Sequence, residues 1–362
     1  METWQKEYRI CYFGAFPKGY ARNRVIELGL KRFGMKVDFR VAPNRSLLGR
    51  SLMLSRGFAR SFSGYDIILV GEGRHADVPL ARMLGGITGA TVILDAFISH
   101  YDSWVEDRGY FLPGSRQARA MRVADEWGVR LARAALMDTV AHAEFYSGYY
   151  GIPIDKFTCV RVGADDTVFR PRKKKRGGGD FTVLFYGSYL PLHGAETIVR
   201  AAGLLSGEKD IRFRMIGDGQ ELDQCRRSAD DCGAEVEFIK PVTIENIAVE
   251  LGECDVALGI FGTGGKASRV IPNKVYQALA SARPVITADT PASRELLADG
   301  KDSILVPPGD AGALADSIMK IKNDGALADR ISKGGFGLFD SSLRPEKVVL
   351  PLLELIDGLR NG

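Results

Sequence analysis

The chain alternates short apolar runs with longer amphipathic stretches, and it does so twice. "YRICYFG" reads as a strand running into a glycine loop. "ARNRVIELGLKRFG" follows with Val25, Ile26, Leu28 and Leu30 on one helical face, and "MKVDFRVA" returns as a strand. "YDIILVGEG", "GATVILDAF", "ALMDTVAHA" and "FTCVRVGAD" continue the series. The pattern restarts with "FTVLFYGSY", the helix "GAETIVRAAGLL" and the strand "IRFRMIGDG". "VEFIK", "CDVALGI", "RPVITAD" and "ILVPPGD" complete a second set of strands. "AGALADSIMKIKND" closes it as a helix with Leu314, Ile318 and Ile321 on one side. Continuous apolar strands separated by helices predict parallel sheets covered on both faces.

The expected fold class is therefore α/β, with two Rossmann-like, doubly wound parallel-sheet domains facing a cleft. Ligands in such sheets bind at the carboxyl ends of the strands. The expected boundaries are a first domain over 1–171, a basic glycine-rich linker over 172–180, and a second domain over 181–343. The last segment, 344–362, contains "EKVVLPLLELIDGL" and is expected to form a helix that packs back on the first domain.

Charge separates the halves. Residues 1–170 carry 24 Lys and Arg against 18 Asp and Glu, a balance of +6; "RKKKR" adds +5; from 177 onward the balance is 20 against 27, or −7. A basic half calls for an anionic neighbour. Nucleic acid is not expected, because no recognition signature accompanies the charge. Residues 44–62 interleave Arg45, Arg50, Arg56 and Arg60 with Leu47, Leu48, Leu52, Met53, Leu54, Phe58 and Phe62. That mixture suits an anionic membrane surface. No apolar run reaches the ~18 residues of a membrane span, and the start lacks the form of a signal peptide. The five cysteines have no metal-ligand spacing and read as reduced thiols. The expected location is the cytoplasm, peripheral to the inner membrane face.

Candidate chemistry gathers in the second half. "VIPNK" sets Asn273 and Lys274 at the mouth of an apolar helix, where free N–H groups and a partial positive charge favour an anion. "GDGQ" places Gly217 and Gly219 at a strand end, as a turn over which a nucleotide could lie. No Asp-x-Asp occurs, so no metal site and no cofactor is expected.

Taken in order, "FYGSYLPLHGAETIVRAA", "MIGDGQELD", "CDVALGIF", "VIPNKVYQALASARPVITADTPASRELLADG" and "ILVPPGDAGALADSI" resemble the family 4 glycosyltransferases, which have the GT-B fold. The pairing of PLHG with IPNK is similar to one branch of that family. The resemblance implies metal-independent transfer, with retention, of a sugar from a nucleotide-diphosphate donor. A UDP-sugar is the donor most frequent in the family, and the acceptor is a glycan or lipid-linked molecule of cell-surface polysaccharide or glycolipid synthesis. It assigns the donor diphosphate to Ser188, His193, Asn273 and Lys274, with Gly14 approaching from the first domain. The nucleotide falls to Gly217, Gly219, Lys240 and Val242. Two family glutamates are replaced: Arg269 stands where one contacts the donor sugar and is expected at the diphosphate or an anionic sugar, and Gln277 stands where the other grips the ribose. Near the transferred sugar the resemblance implies His100, with Asp95 as an alternative base; His75, His142 and His193 are less well placed for that role. The replaced glutamate also keeps open a non-catalytic nucleotide-sugar-binding or scaffold subunit, and the architecture alone admits an epimerase or phosphorylase.

Overall fold

The computed structural model describes residues 6–43, 46–59, 64–172 and 179–361. Asn44, Arg45, Arg60, Phe62 and the linker residues 173–178 lie outside the described residues. The chain forms two compact units, Met1–Val162 with Pro345–Gly362, and Gly163–Arg344.

In the first unit β1 (Arg9–Gly14), β2 (Lys36–Val41), β3 (Ile67–Val70), β4 (Thr91–Asp95), β5 (Ala134–Met137) and β6 (Phe157–Cys159) form one parallel sheet in the order β2-β1-β3-β4-β5-β6. Every residue of β3 and β5 is buried, as apolar runs without polar alternation require. The helix Leu350–Asn361 belongs to this unit: Leu352, Leu353 and Ile356 join Ile10, Tyr12, Val25 and Ile26 in one core.

In the second unit β7 (Phe181–Gly187), β8 (Ile211–Gly217), β9 (Val236–Ile239), β10 (Val256–Leu258), β11 (Val285–Ala288) and β12 (Ile304–Val306) are again parallel, in the order β12-β11-β10-β7-β8-β9. Strand order reverses between β10 and β7, and in sheets of this kind the crevice that takes a ligand lies at the carboxyl ends of the strands beside such a reversal. In the first unit the corresponding reversal lies between β1 and β3.

The boundary is corrected by the structure. Residues 163–171 group with the second unit rather than with the first. Long-range polar contacts hold this stretch and its end there: Arg344 Nη1 meets Asp166 at 2.8 Å, and Arg283 Nη2 donates to the carbonyl of Arg172, just beyond it, at 2.7 Å. Neither pairing leaves a local trace in sequence.

The helix Leu47–Ala59 buries Leu54 and Phe58 and leaves Leu48 85% and Leu52 53% exposed. Its arginines are not all at the surface: Arg50 Nε meets the buried Asp77 at 2.7 Å. Among the described residues, no helix is long and apolar enough to cross a membrane.

Candidate active site

The crevice of the second unit is built by two interlocked loops. After β7 the chain passes Ser188, which is exposed, and Tyr189, which is buried with its hydroxyl donating to the Met215 carbonyl at 3.2 Å. A single tight turn, Pro191–His193, ends at Gly194 with φ 58°. A Cβ on Gly194 would sit 2.5 Å from the backbone N of Gly262, so only glycine lets this loop touch the one that leaves β10. Phe261 N then donates to the His193 carbonyl at 2.9 Å and fixes the junction. His193 is 8% exposed, with its ring 5.9 Å from that of Phe185.

The loop after β10 feeds the helix Asn273–Ala280, capped by Pro272 in extended conformation. Lys274 does not project into solvent. It is 5% exposed, and its Nζ lies 4.1 Å from the centre of the Phe185 ring. Among the described residues that Nζ has no hydrogen-bond partner, nor has the buried Oδ1 of the neighbouring Asn273. A Cβ on Gly187 would lie 2.8 Å from Lys274 Nζ and 3.0 Å from His193 Cε1, so the two side chains converge on the end of β7.

Burial pushes the Lys274 ammonium well below its ordinary pKa. The ring face of Phe185 offsets part of that cost, about 0.5–2 kcal/mol for such contacts. The helix start opposes it, since free N–H groups there repel a cation and attract an anion. An unpartnered lysine is therefore held where the local field favours negative charge. An anion satisfies the lysine, the N–H groups and the histidine together.

Gln277 sits inside the same helix, 4% exposed, and its Oε1 accepts from Tyr186 at 2.7 Å. That bond fixes the amide oxygen within the unit and leaves the Nε2 donors of Gln277 uncommitted by it. Arg269 lies on the loop leading into the helix, its N–H donating to Lys266 O at 3.1 Å and its guanidinium folded over Gly265.

Gly217 ends β8 beside a groove of about 430 Å³ lined by Gly217, Asp218, Arg226, Phe238, Lys240 and Pro241. Val242, 38% exposed, is not among the lining residues. The two glycines also have a packing role that sequence reasoning did not provide. Gly219 has φ 152°, and a Cβ there would lie 1.6 Å from the Ser188 carbonyl oxygen. The β7 and β8 loops thus touch backbone to backbone. Gly219→Ala is expected to cost roughly 1–3 kcal/mol in denaturant unfolding, as overpacking does, and to displace Ser188. Unchanged stability would show that the loops separate freely.

The remaining assigned residues belong to the first unit. Gly14 ends β1 with φ 134°, against the side chains of Arg74 and Asp77. Asp95 is fully buried, both of its oxygens accept from Arg22 Nε (3.0 and 2.7 Å), and Arg22 Nη1 donates to the Val160 carbonyl at 2.7 Å. A carboxylate so enclosed cannot reach a substrate proton, which corrects its reading as an alternative base.

His100 is 29% exposed at the side chain, and its backbone N–H donates to Asp125 Oδ1 at 3.2 Å. Asp125, fully buried, also accepts from the Ser99 hydroxyl at 2.6 Å and from Tyr101 N at 2.9 Å. Burial pushes this carboxyl up, but His75 and the bonds from His100 and Ser99 outweigh it and hold it below the usual range. His75, fully buried, is pushed down to about 4 by burial.

Sequence reasoning missed Asp125, which lies inside the amphipathic helix Arg116–Leu131 without any motif. It also missed Glu72, 4% exposed beyond β3, whose carboxyl is pushed up to about 8 by burial and then by the Asp95 charge. Its place directly after "IILVG", where this sheet reverses order, was the available signal.

The stretch that carries His193 and Lys274 has known relatives. Residues 180–324 match the family model of group 1 glycosyl transferases. A phosphatidyl-myo-inositol mannosyltransferase of Mycobacterium leprae is 30% identical over 156 residues, 42% of this chain and 40% of that protein. The match therefore spans about two fifths of that relative's length. Sucrose-phosphate synthase of Thermosynechococcus elongatus superposes with a TM-score of 0.74 at 15% identity, over 99% of this chain and 100% of that one. Anabaena HepE, solved with UDP and glucose, superposes with a TM-score of 0.70 at 14% identity, over 98% and 100%. The fold is GT-B. At these identities the structural likeness is one of architecture, two Rossmann-like domains in a single chain.

Proposed function

We propose that the chain is a glycosyltransferase of the hexosyl-transferring type, moving a sugar from a nucleotide-diphosphate donor to a glycan or lipid-linked acceptor. The observation that carries the reading is Lys274: a buried, unpartnered cation at a helix start, beside His193, where strand order reverses. The family match over this same stretch supports it, and the lipid-linked acceptor follows the mannosyltransferase relative. UDP is the first carrier to test, since HepE shares the fold and was solved with it.

In this reading the diphosphate takes the N–H groups of the helix start, Lys274, Asn273, His193 and Ser188, with Arg269 at its edge. The nucleoside takes the groove at Gly217 and Lys240. During transfer the bond between the anomeric carbon and the diphosphate oxygen breaks, and the electron pair leaves with the diphosphate. The acceptor hydroxyl oxygen bonds to the anomeric carbon with retention, and its proton passes to an oxygen of the departing diphosphate. Lys274 and the helix start hold the leaving charge in place of a metal on the diphosphate, in a site arranged before the reaction begins. His100 is assigned to the transferred sugar. The exposed leucines of Leu47–Ala59 and the basic first half fit attachment to the cytoplasmic membrane face, in cell-surface polysaccharide or glycolipid synthesis.

The test is a thermal-shift screen with UDP, GDP, ADP and dTDP on wild type and Lys274→Ala. One nucleotide is expected to stabilise the wild type, by about 2.7 kcal/mol at about 100-fold excess over Kd, and not the variant. Absence of any shift in folded protein overturns the donor site. Nucleotide binding without turnover of any donor sugar favours the non-catalytic subunit, the reading that Arg269 supports.

A further inference from the structure

The geometry points to a transition-metal site in the first unit, formed by His75, His100 and Asp125, and we propose that it binds Zn2+. One nitrogen from each histidine and an oxygen of Asp125 lie within 4.8 Å of one another. The two Nδ1 atoms face the same oxygen, Asp125 Oδ1, from 3.6 Å for His75 and 3.5 Å for His100. Those separations are long for N–H···O hydrogen bonds, which span about 2.7–3.2 Å. They fit ligands of one ion: two ligands about 2.0–2.1 Å from a tetrahedral centre stand roughly 3.3–3.4 Å apart.

The surrounding groups are those a metal site requires. Among the described residues His75 Nδ1 is buried with no hydrogen-bond partner, while its Nε2 faces the Tyr146 hydroxyl at 3.3 Å. A partner on the far nitrogen fixes the tautomer that leaves Nδ1 free to ligate. Asp125 Oδ2 is held by Ser99 and Tyr101, so Oδ1 is the oxygen turned to the histidines. Two neutral imidazoles and one carboxylate suit Zn2+ in ligand type, and one negative charge meets part of the ion's two positive charges. His100, partly exposed, gives the entry path. Three protein ligands leave a fourth position to solvent.

Metal binding stands apart from the transferase reading. One consequence rests on that reading: His100 engaged with Zn2+ cannot serve the transferred sugar, so Zn2+ inhibits transfer.

The test uses full-length protein stripped with EDTA, titrated with ZnCl2 by calorimetry and with Co2+ in the visible range. One ion per chain is expected, with a cobalt ligand-field band that Zn2+ abolishes. Asp125 holds the turn at residues 99–101, so its removal threatens folding. His100→Ala is the informative variant, expected to keep the wild-type circular dichroism and Tm and to weaken Zn2+ binding at least about 100-fold. Three outcomes overturn the site: no binding to folded protein, equal binding by His100→Ala, or a thiolate-to-cobalt band that moves the ion to a cysteine.

Discussion

Lys274→Met is expected to unfold at a higher temperature than the wild type and to bind no nucleotide. The substitution keeps an unbranched apolar chain one atom shorter beside Phe185, and removes a buried ammonium that has no hydrogen-bond partner among the described residues. Relieving a site held for function commonly yields about 0.5–2 kcal/mol. For a unit of this size that corresponds to a rise in Tm of about 1–8 °C.

The pH dependence identifies the cause. Folding lowers the Lys274 pKa below its ordinary 10.5, so the unfolded chain holds the proton more tightly. The penalty is complete below the folded pKa and disappears as pH rises toward 10.5. The Tm gap between variant and wild type should narrow over that interval in scanning calorimetry. A variant less stable than the wild type would mean that the ammonium is already satisfied in the free protein, and the anion pocket would lose its main support.

Asp95→Ala is expected to lose about 3–5 kcal/mol in denaturant unfolding, because it leaves the Arg22 guanidinium buried without its counter-charge. The pair is fully buried on both sides, with the closer contact at 2.7 Å. Replacing both partners together, Arg22→Met with Asp95→Leu, is expected to recover most of the loss, since well-packed apolar groups of similar volume often match a buried ion pair. An Asp95→Asn protein of wild-type stability with its transferase activity abolished would reverse this assignment and return Asp95 to the chemistry.

The contrast between Asp95 and His100 shows where sequence reasoning stops. Both lie in "ILDAFISHYD", Asp95 at the end of β4 and His100 beyond it, and either could be drawn as a base. What separates them is Arg22, 73 residues away from Asp95, and Asp125, 25 residues away from His100. The first partner encloses its carboxylate; the second leaves an imidazole edge at the surface. The glycines of "GDG" make the same point. As letters they suit a nucleotide turn, and only the approach of the Ser188 carbonyl shows that the backbone of another loop already needs the space at Gly219.

By itself the sequence determined the twelve strands, their grouping into two parallel sheets and the terminal helix, because an apolar run between amphipathic stretches is a local property that burial on both faces demands. It also placed the helix start at Asn273, since Pro272 and Lys274 adjoin it along the chain. The tertiary structure alone decided that Lys274 points inward over Phe185, that the Gln277 amide oxygen is taken by Tyr186, that the boundary falls at Gly163, and that His75, His100 and Asp125 meet. Each of these depends on side chains brought together from distant elements, and the energy of such a contact belongs to neither segment until both are folded.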